Sequence, residues 1–362
     1  MKLLFLCPAI ISGAGKIICA LYDHCLAAGH EVRVMVYKPM VGAIHQGRIR
    51  PEHLHYVDMF HRSDAGMQAA IDYVAAFCEQ YRPDVVHSFS GVPAHVANEA
   101  VGDRAVRIGT LFSWGLYRPR AMDLWDALAF AGQDVVTVCS DEYYGRLLGL
   151  GVPGDKLCKI PLGIDMPVVD DQYSWVHGLL RYNLEVVPCY VAAIEPRKRI
   201  HLAIQAAYDA GLAPLRVLGQ VRDDAYYKQL MSMDAPWRHI GAVDDTQAFL
   251  DECNVFIAPS ENEGFGLAVL EAMARGLLVV ASDIPGHREF CNSGNSVLVF
   301  NGYSADYAKA IHDIIRQPYK AQKLIHGGIA TATAHNMSSV IGRYMLLYNR
   351  LADARRQKVV DK

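Results

Sequence analysis

Val255-Phe256-Ile257-Ala258-Pro259-Ser260-Glu261-Asn262-Glu263-Gly264-Phe265-Gly266-Leu267-Ala268-Val269-Leu270-Glu271-Ala272-Met273-Ala274-Arg275-Gly276-Leu277-Leu278-Val279-Val280-Ala281 reads as strand, turn, helix and second strand without a gap. Val255–Ala258 and Leu278–Ala281 are short apolar runs, as strands buried on both faces require. Pro259, Gly264 and Gly266 punctuate the turn, and Gly276 stops the helix predicted over Leu267–Arg275. Two such strands joined through a helix must run parallel, because a crossover returns the chain in the same direction.

Outward from this unit the pattern recurs. Toward the N-terminus, strands are predicted at Cys189–Ala193 and Leu215–Leu218, with helices at Leu202–Ala210, Asp224–Met233 and Gln247–Asp251. Downstream come a strand at Val297–Phe300 and a helix at Ala305–Arg316. The first half repeats the alternation. Strands are expected at Lys2–Cys7, Glu31–Val36, Asp84–His87, Val106–Leu111, Val135–Ser140 and Leu157–Ile160, and helices at Lys16–Ala28, Met67–Tyr81, Met122–Phe130 and Glu142–Leu150. Polar, irregular Tyr37–Asp64 reads as a surface excursion. The fold class is therefore α/β, with two Rossmann-like domains facing across a cleft. Residues 1–165 form the N-terminal, acceptor-side domain and 166–337 the C-terminal one; 338–362 form a terminal helix expected to pack back on the first domain. Open parallel sheets bind ligands at the carboxyl ends of their strands.

Composition narrows the function. The 362 residues carry 35 Lys+Arg against 38 Asp+Glu, and 52% are hydrophobic. A nearly balanced charge without a dense basic run argues against nucleic acid as a partner. Nine scattered cysteines contain no C-x-x-C pair, so no zinc ribbon or dithiol motif is indicated, and reduced thiols in a cytoplasmic protein are expected. No apolar run reaches the ~20 residues of a membrane span. Lys2 with Leu3–Cys7 has the look of a signal peptide, but Pro8 and Ser12–Gly15 follow without a small-residue cleavage site, so a first buried strand is the reading.

The turn after Ala258 carries the chemistry. Free N–H groups at the start of the following helix favour an anion, and the glycines let backbone approach a ligand. Glu263 and Glu271 suggest a hydrolase pair at first sight. Eight residues of helix, however, span about 12 Å, beyond the roughly 5 to 9.5 Å of such pairs. Carboxylates accepting hydrogen bonds from sugar or ribose hydroxyls fit better, with a structural cap or ion pair as the alternative for Glu271.

This segment resembles the E-x7-E donor motif of family 4 of the retaining glycosyltransferases, with EGFGL, LEAMA and Gly276 at family spacing. The resemblance extends to Ser12–Gly15 as a glycine-rich loop, Ala27–Val32, Pro161–Asp165 and Pro285–Glu289. It implies a GT-B architecture with a nucleotide-sugar donor on the C-terminal domain, and no metal or other cofactor beyond a UDP- or GDP-linked co-substrate. It places Glu271 on the ribose, Glu263 beside the sugar, and Gly264, Phe265, Gly266 and Leu267 along sugar and pyrophosphate. Lys198, with the Gly13–Gly15 loop, would neutralise the pyrophosphate. The family's arginine five residues before that lysine is here Ala193, leaving Arg197 or Arg199 as substitutes. Gly219 and Ile240 would wall the base. The family histidine near the acceptor is missing; His87 is the candidate in its stead, at a strand end facing the cleft, with Trp114, Tyr117, Arg118 and Arg120 in an acceptor loop. The implied partners are the donor, a sugar, lipid-linked or small-molecule acceptor, and peripheral contact with a membrane. Two other readings stay open: a nucleotide-sugar epimerase of the 2-epimerase type, and a degenerate nucleotide-sugar-binding subunit.

Overall fold

The structure, a computed structural model, describes residues 1–10, 12–42, 46–59, 63–114, 119–166, 185–212, 214–243, 246–300 and 302–360. The chain forms two compact units: Met1–Leu162 with Met337–Lys362, and Gly163–Asn336.

The first unit is built on seven parallel strands: β1 (Lys2–Cys7), β2 (Glu31–Val36), β3 (Leu54–Tyr56), β4 (Val85–Phe89), β5 (Val106–Leu111), β6 (Val135–Val138) and β7 (Leu157–Lys159), in the order β3-β2-β1-β4-β5-β6-β7. Leu3 to Cys7 are wholly buried, which is why β1 is apolar at every position after Lys2 rather than alternating. Helices Asp64–Tyr81 and Asp141–Gly149 enter on side-chain caps. Ser63 accepts the amide of Gly66 before helix Asp64–Tyr81, and Ser140 that of Tyr143 before helix Asp141–Gly149. The Tyr37–Asp64 stretch, expected to be a bare excursion, contributes β3, pairing Val34 with Leu54 and Val36 with Tyr56. That strand has three residues and lies at the edge, half-exposed, so it lacks an apolar run to betray it.

The second unit holds six parallel strands: β8 (Pro188–Val191), β9 (Leu215–Leu218), β10 (Trp237–Gly241), β11 (Val255–Ala258), β12 (Leu278–Ser282) and β13 (Val297–Val299), ordered β10-β9-β8-β11-β12-β13. β10 escapes the sequence reading for the same reason as β3, being a partly exposed edge strand. In each sheet the chain fills one side and then crosses to the other. The reversals fall between β1 and β4 and between β8 and β11.

Two expectations are corrected in the first unit. Gly13 and Gly15 do not form a separate loop. They lie in the first turn of helix Ser12–Ala27, which starts four residues earlier than the apolar pattern suggests. His87 does not face a cleft. It lies inside β4 at 0% exposure, its Nδ1 2.6 Å from the Tyr348 hydroxyl and its Nε2 2.6 Å from Thr110 Oγ1. Burial pushes the imidazole down to about 3, so the ring is neutral. Thr110 continues to Thr137 (2.5 Å), which reaches Tyr344 (3.3 Å). Tyr344 and Tyr348 belong to helix Met337–Val360, so this buried polar chain fastens the terminal helix to the first sheet. Helix Arg120–Ala131 follows β5, with Arg120 as its first residue; Tyr117 and Arg118 lie outside the described residues.

Tyr348→Phe removes one hydroxyl and leaves His87 Nδ1 buried without its partner. It should cost about 1 to 3 kcal/mol, seen as a lower melting transition of the first unit, with nucleotide binding retained.

Candidate nucleotide-sugar site

The carboxyl end of the second sheet gathers most of the predicted residues, and the order reversal explains where. At a reversal the loops leaving two neighbouring strands diverge and open a crevice. Here those loops follow β8 and β11. The first carries Pro196–Lys198, a single 3₁₀ turn, and the second carries Ser260–Gly266.

The two loops are bound to each other. Glu261 donates its amide to the Arg197 carbonyl (2.8 Å), and Arg197 Nη1 donates to the Asn262 carbonyl (3.3 Å). Lys198 Nζ donates to Glu263 Oε1, with the two side chains only 13% and 15% exposed. Arg197 Nη1 stands 3.6 Å from Glu263 Oε2, and its Nη2 is 2.6 Å from Glu195. Arg199 turns instead to Glu261, at 3.1 Å and more open to solvent. Of the two arginines offered as substitutes at Ala193, only Arg197 pairs with Glu263.

Glu263 is held from behind by residues the sequence reading assigned no role. Ser260 Oγ donates to Glu263 Oε1 (2.8 Å), which uses its only proton, so Tyr190 must donate to Ser260 across their 2.6 Å contact. Burial raises the Tyr190 phenol well above its ordinary range, keeping that proton in place. Ser282 in turn donates to the Ser260 carbonyl at 2.5 Å. Burial alone would raise the Glu263 carboxyl, but Lys198 foremost, then His287 and Arg197, hold it down at about 2. Glu263 is therefore a fixed carboxylate.

Backbone geometry shapes the turn. Gly266, at φ 96°, opens helix Leu267–Ala274, and a Cβ there would meet the His287 ring at 3.0 Å. A Cβ on Gly286 would lie 2.1 Å from the Glu263 carbonyl oxygen, so helix Pro285–Arg288 can pass this close only with glycine there. His287 is fully buried, and its Nδ1 donates to the Ser282 carbonyl at 2.8 Å. Gly264 and Phe265 complete the turn, with Phe265 buried against Phe290. Glu271, half-buried, lies in the second turn of the helix that Leu267 begins.

Gly219 and Ile240 sit at the same sheet end, on neighbouring strands. The Gly219 amide donates to the Gly241 carbonyl (2.8 Å), and His239 Nε2 donates to the Gly219 carbonyl (2.8 Å). Ile240 falls where the β9–β10 register slips and is 44% exposed. Thus Lys198, Arg197, Arg199, Glu263, the Gly264–Leu267 turn, Glu271, Gly219 and Ile240 share one unit. Gly13, Gly15 and His87 belong to the other. Tyr190 and Ser282 gave no sequence signal, and His287 figured only within the Pro285–Glu289 segment without a role, because only the topology carries them beneath the turn. Among the described residues, no group of three or more His, Cys, Asp or Glu gathers as a metal site.

Two doubly wound parallel sheets in one chain are the architecture of the GT-B class of glycosyltransferase. Residues 12–163 match the family model described as "Glycosyl transferase 4-like domain", and residues 179–330 match "Glycosyl transferases group 1". The chain belongs to the GT-B glycosyltransferases. It is 26% identical to EpsD of Bacillus subtilis, a glycosyltransferase by designation, over 90% of this chain and 96% of the relative. It is 28% identical to the N,N'-diacetylbacillosaminyl-diphospho-undecaprenol alpha-1,3-N-acetylgalactosaminyltransferase of Campylobacter jejuni, over 61% of each chain. The crystal structure of Anabaena HepE in complex with UDP and glucose has the same fold, with a TM-score of 0.79 and 18% identity, covering 97% of this chain and all of that one.

Glu263 has its pKa depressed on folding. Its contribution to stability is thus complete above its unfolded value near 4.5 and lost as pH falls toward 2. Wild-type stability should fall more steeply than that of Glu263→Gln across this window, by roughly 2 to 3 kcal/mol, in chemical denaturation series from pH 5 to pH 2. Parallel curves would show that Glu263 is not held ionised.

Proposed function

We propose that the chain transfers a sugar from a nucleoside-diphosphate donor to an acceptor hydroxyl, with retention at the anomeric carbon and without a metal ion. The observation that carries this reading is the contact of Lys198 with Glu263 at the strand-order reversal, one turn before a helix start. It sets a cation, a fixed carboxylate and free backbone amides side by side. A nucleoside diphosphate needs the first and third; a sugar ring with developing positive charge needs the second.

In this reading the helix start at Gly266–Leu267 receives the pyrophosphate, Lys198 meets the charge growing on the leaving phosphate, and Arg197 supplies a second cation. Glu271 accepts from the ribose, and the edges of Gly219 and Ile240 border the base. Cations fixed by the protein perform the neutralisation that a metal supplies elsewhere. The acceptor oxygen bonds to the anomeric carbon on the face the phosphate leaves. Its proton passes to a donor phosphate oxygen, and nucleoside diphosphate departs. The UDP held by HepE supports uracil as the base. The diphospho-undecaprenol acceptor in the name of the Campylobacter enzyme supports a lipid-linked acceptor. The family models favour a transferase over an epimerase or a binding subunit.

Lys198→Ala should lower kcat/KM by about 10²- to 10³-fold, with Arg197→Ala costing less and Arg199→Ala least, all in excess EDTA, where the wild type keeps its activity. Full activity of Lys198→Ala, or loss of wild-type activity restored only by a divalent cation, overturns the reading.

A further inference from the structure

The side chains around the Glu263 turn leave no excess of positive charge for a diphosphate to meet. Lys198 and Arg197 are answered by Glu263 and Glu195, and Arg199 by Glu261. Glu271 adds a further carboxylate on the helix that Leu267 begins. The amides of a helix start are worth only about half a positive charge, whereas a nucleoside diphosphate sugar carries two negative ones. The loaded site needs another cation.

His287 is placed to become it. Its imidazole is fully buried against Gly266, the residue that opens the helix. A Cβ on Gly266 would stand 3.0 Å from the ring carbon Cδ2 and 3.4 Å from Nε2. With no side chain at that position, only glycine backbone separates the imidazole from the helix start. On the other side of the ring, Nδ1 faces the Ser282 carbonyl at 2.8 Å. A carbonyl can only accept, so Nδ1 carries the proton of the neutral ring. Nε2 then presents a lone pair, and among the described residues no donor meets it. A buried polar atom left without a partner is rare enough to call for a use.

We propose that His287 takes up a proton as the donor diphosphate binds, so that the loaded site gains a buried imidazolium against the helix start. The proton comes from solvent and joins Nε2, while Nδ1 keeps its own and its bond to Ser282. In the free protein the surroundings favour the neutral ring. Burial weighs most, and Lys198 and the positive end of the helix act in the same direction; Glu263 and the bond to Ser282 oppose them. Beside the ring in sequence, Arg288 is spent on Asp283 through contacts of 2.5 and 2.9 Å. The phosphates reverse this balance. They occupy the helix amides, engage Lys198 and add negative charge in a partly dry site, where charges act strongly on one another. This inference rests on the reading of the helix start as a diphosphate site.

The test is calorimetric titration of UDP-glucose, GDP-glucose and ADP-glucose into the full chain, at neutral pH, in buffers of different ionisation enthalpy. These diesters have no phosphate that titrates near neutrality, so protons counted on binding belong to the protein. Wild type should take up about one proton per nucleotide sugar bound. Binding raises the pKa of the ring, so affinity is greatest on the acid side. Kd should rise by up to about tenfold per pH unit from about pH 6 to about pH 8. His287→Asn keeps a donor for the Ser282 carbonyl but cannot take the proton. It should bind with a flat pH profile, weaker than wild type at the acid end and converging with it at the alkaline end. His287→Gln, equally unable to titrate, is the second variant if the first melts early. Binding without proton uptake, or uptake and slope that persist in these variants, overturns the inference and leaves the transferase reading standing. A wild type that binds none of the three strikes the transferase reading, and this inference falls with it.

Discussion

The contact between Lys198 and Glu263 is the constraint on which the second unit depends. Two nearly buried, opposite charges on different loops are tolerable only when paired, since either alone would bear an uncompensated desolvation cost. Pairing them obliges the loop after β8 to lie against the loop after β11. That arrangement exists only because the strand order reverses between these two strands. Topology brings the loops together, and the ion pair fixes how they meet. Around it the backbone bonds from Glu261 to Arg197 and from Arg197 to Asn262 set the register of the two turns.

The same pair explains how a carboxylate can be kept charged in so buried a place. Glu263 receives Lys198 and Ser260 on one oxygen, with Arg197 near the other, and Tyr190 fixes the direction of the Ser260 proton. Polar groups so placed are oriented before any ligand arrives, and preorganisation is what makes electrostatic stabilisation effective in a dry site. Gly286 and Gly266 complete the support by omission, since a Cβ at either would push the turn away from its backing.

The sheets were legible because their strands are buried on both faces. β1, β2, β5, β9 and β11 coincide with the apolar runs that announce them, residue for residue. β3 and β10 were not, because these two edge strands are partly exposed along their length and lack the apolar run that the edge strands β7 and β13 keep. In the site, the Glu263 turn stood out by its glycines and carboxylates, and Lys198 only through the family resemblance. The residues that hold Glu263 from behind did not, since Tyr190 and Ser282 read as ordinary strand residues and His287 as part of a loop. His87 shows the opposite failure. A histidine near a strand's carboxyl end invites a catalytic role, but the neighbours that satisfy it, Thr110 and Tyr348, lie 23 and 261 residues away.

The central claim is that Lys198 is shared, serving Glu263 and the diphosphate together. Calorimetric titration of UDP into wild type, Lys198→Ala, Glu263→Gln and the double variant tests this directly, because a shared group makes the two substitutions non-additive. The account predicts a coupling of about 1 kcal/mol or more between them, with the loss caused by Lys198→Ala changed once Glu263 is neutral. Losses that add to within about 0.3 to 0.5 kcal/mol would contradict it and leave the ion pair a purely structural clasp.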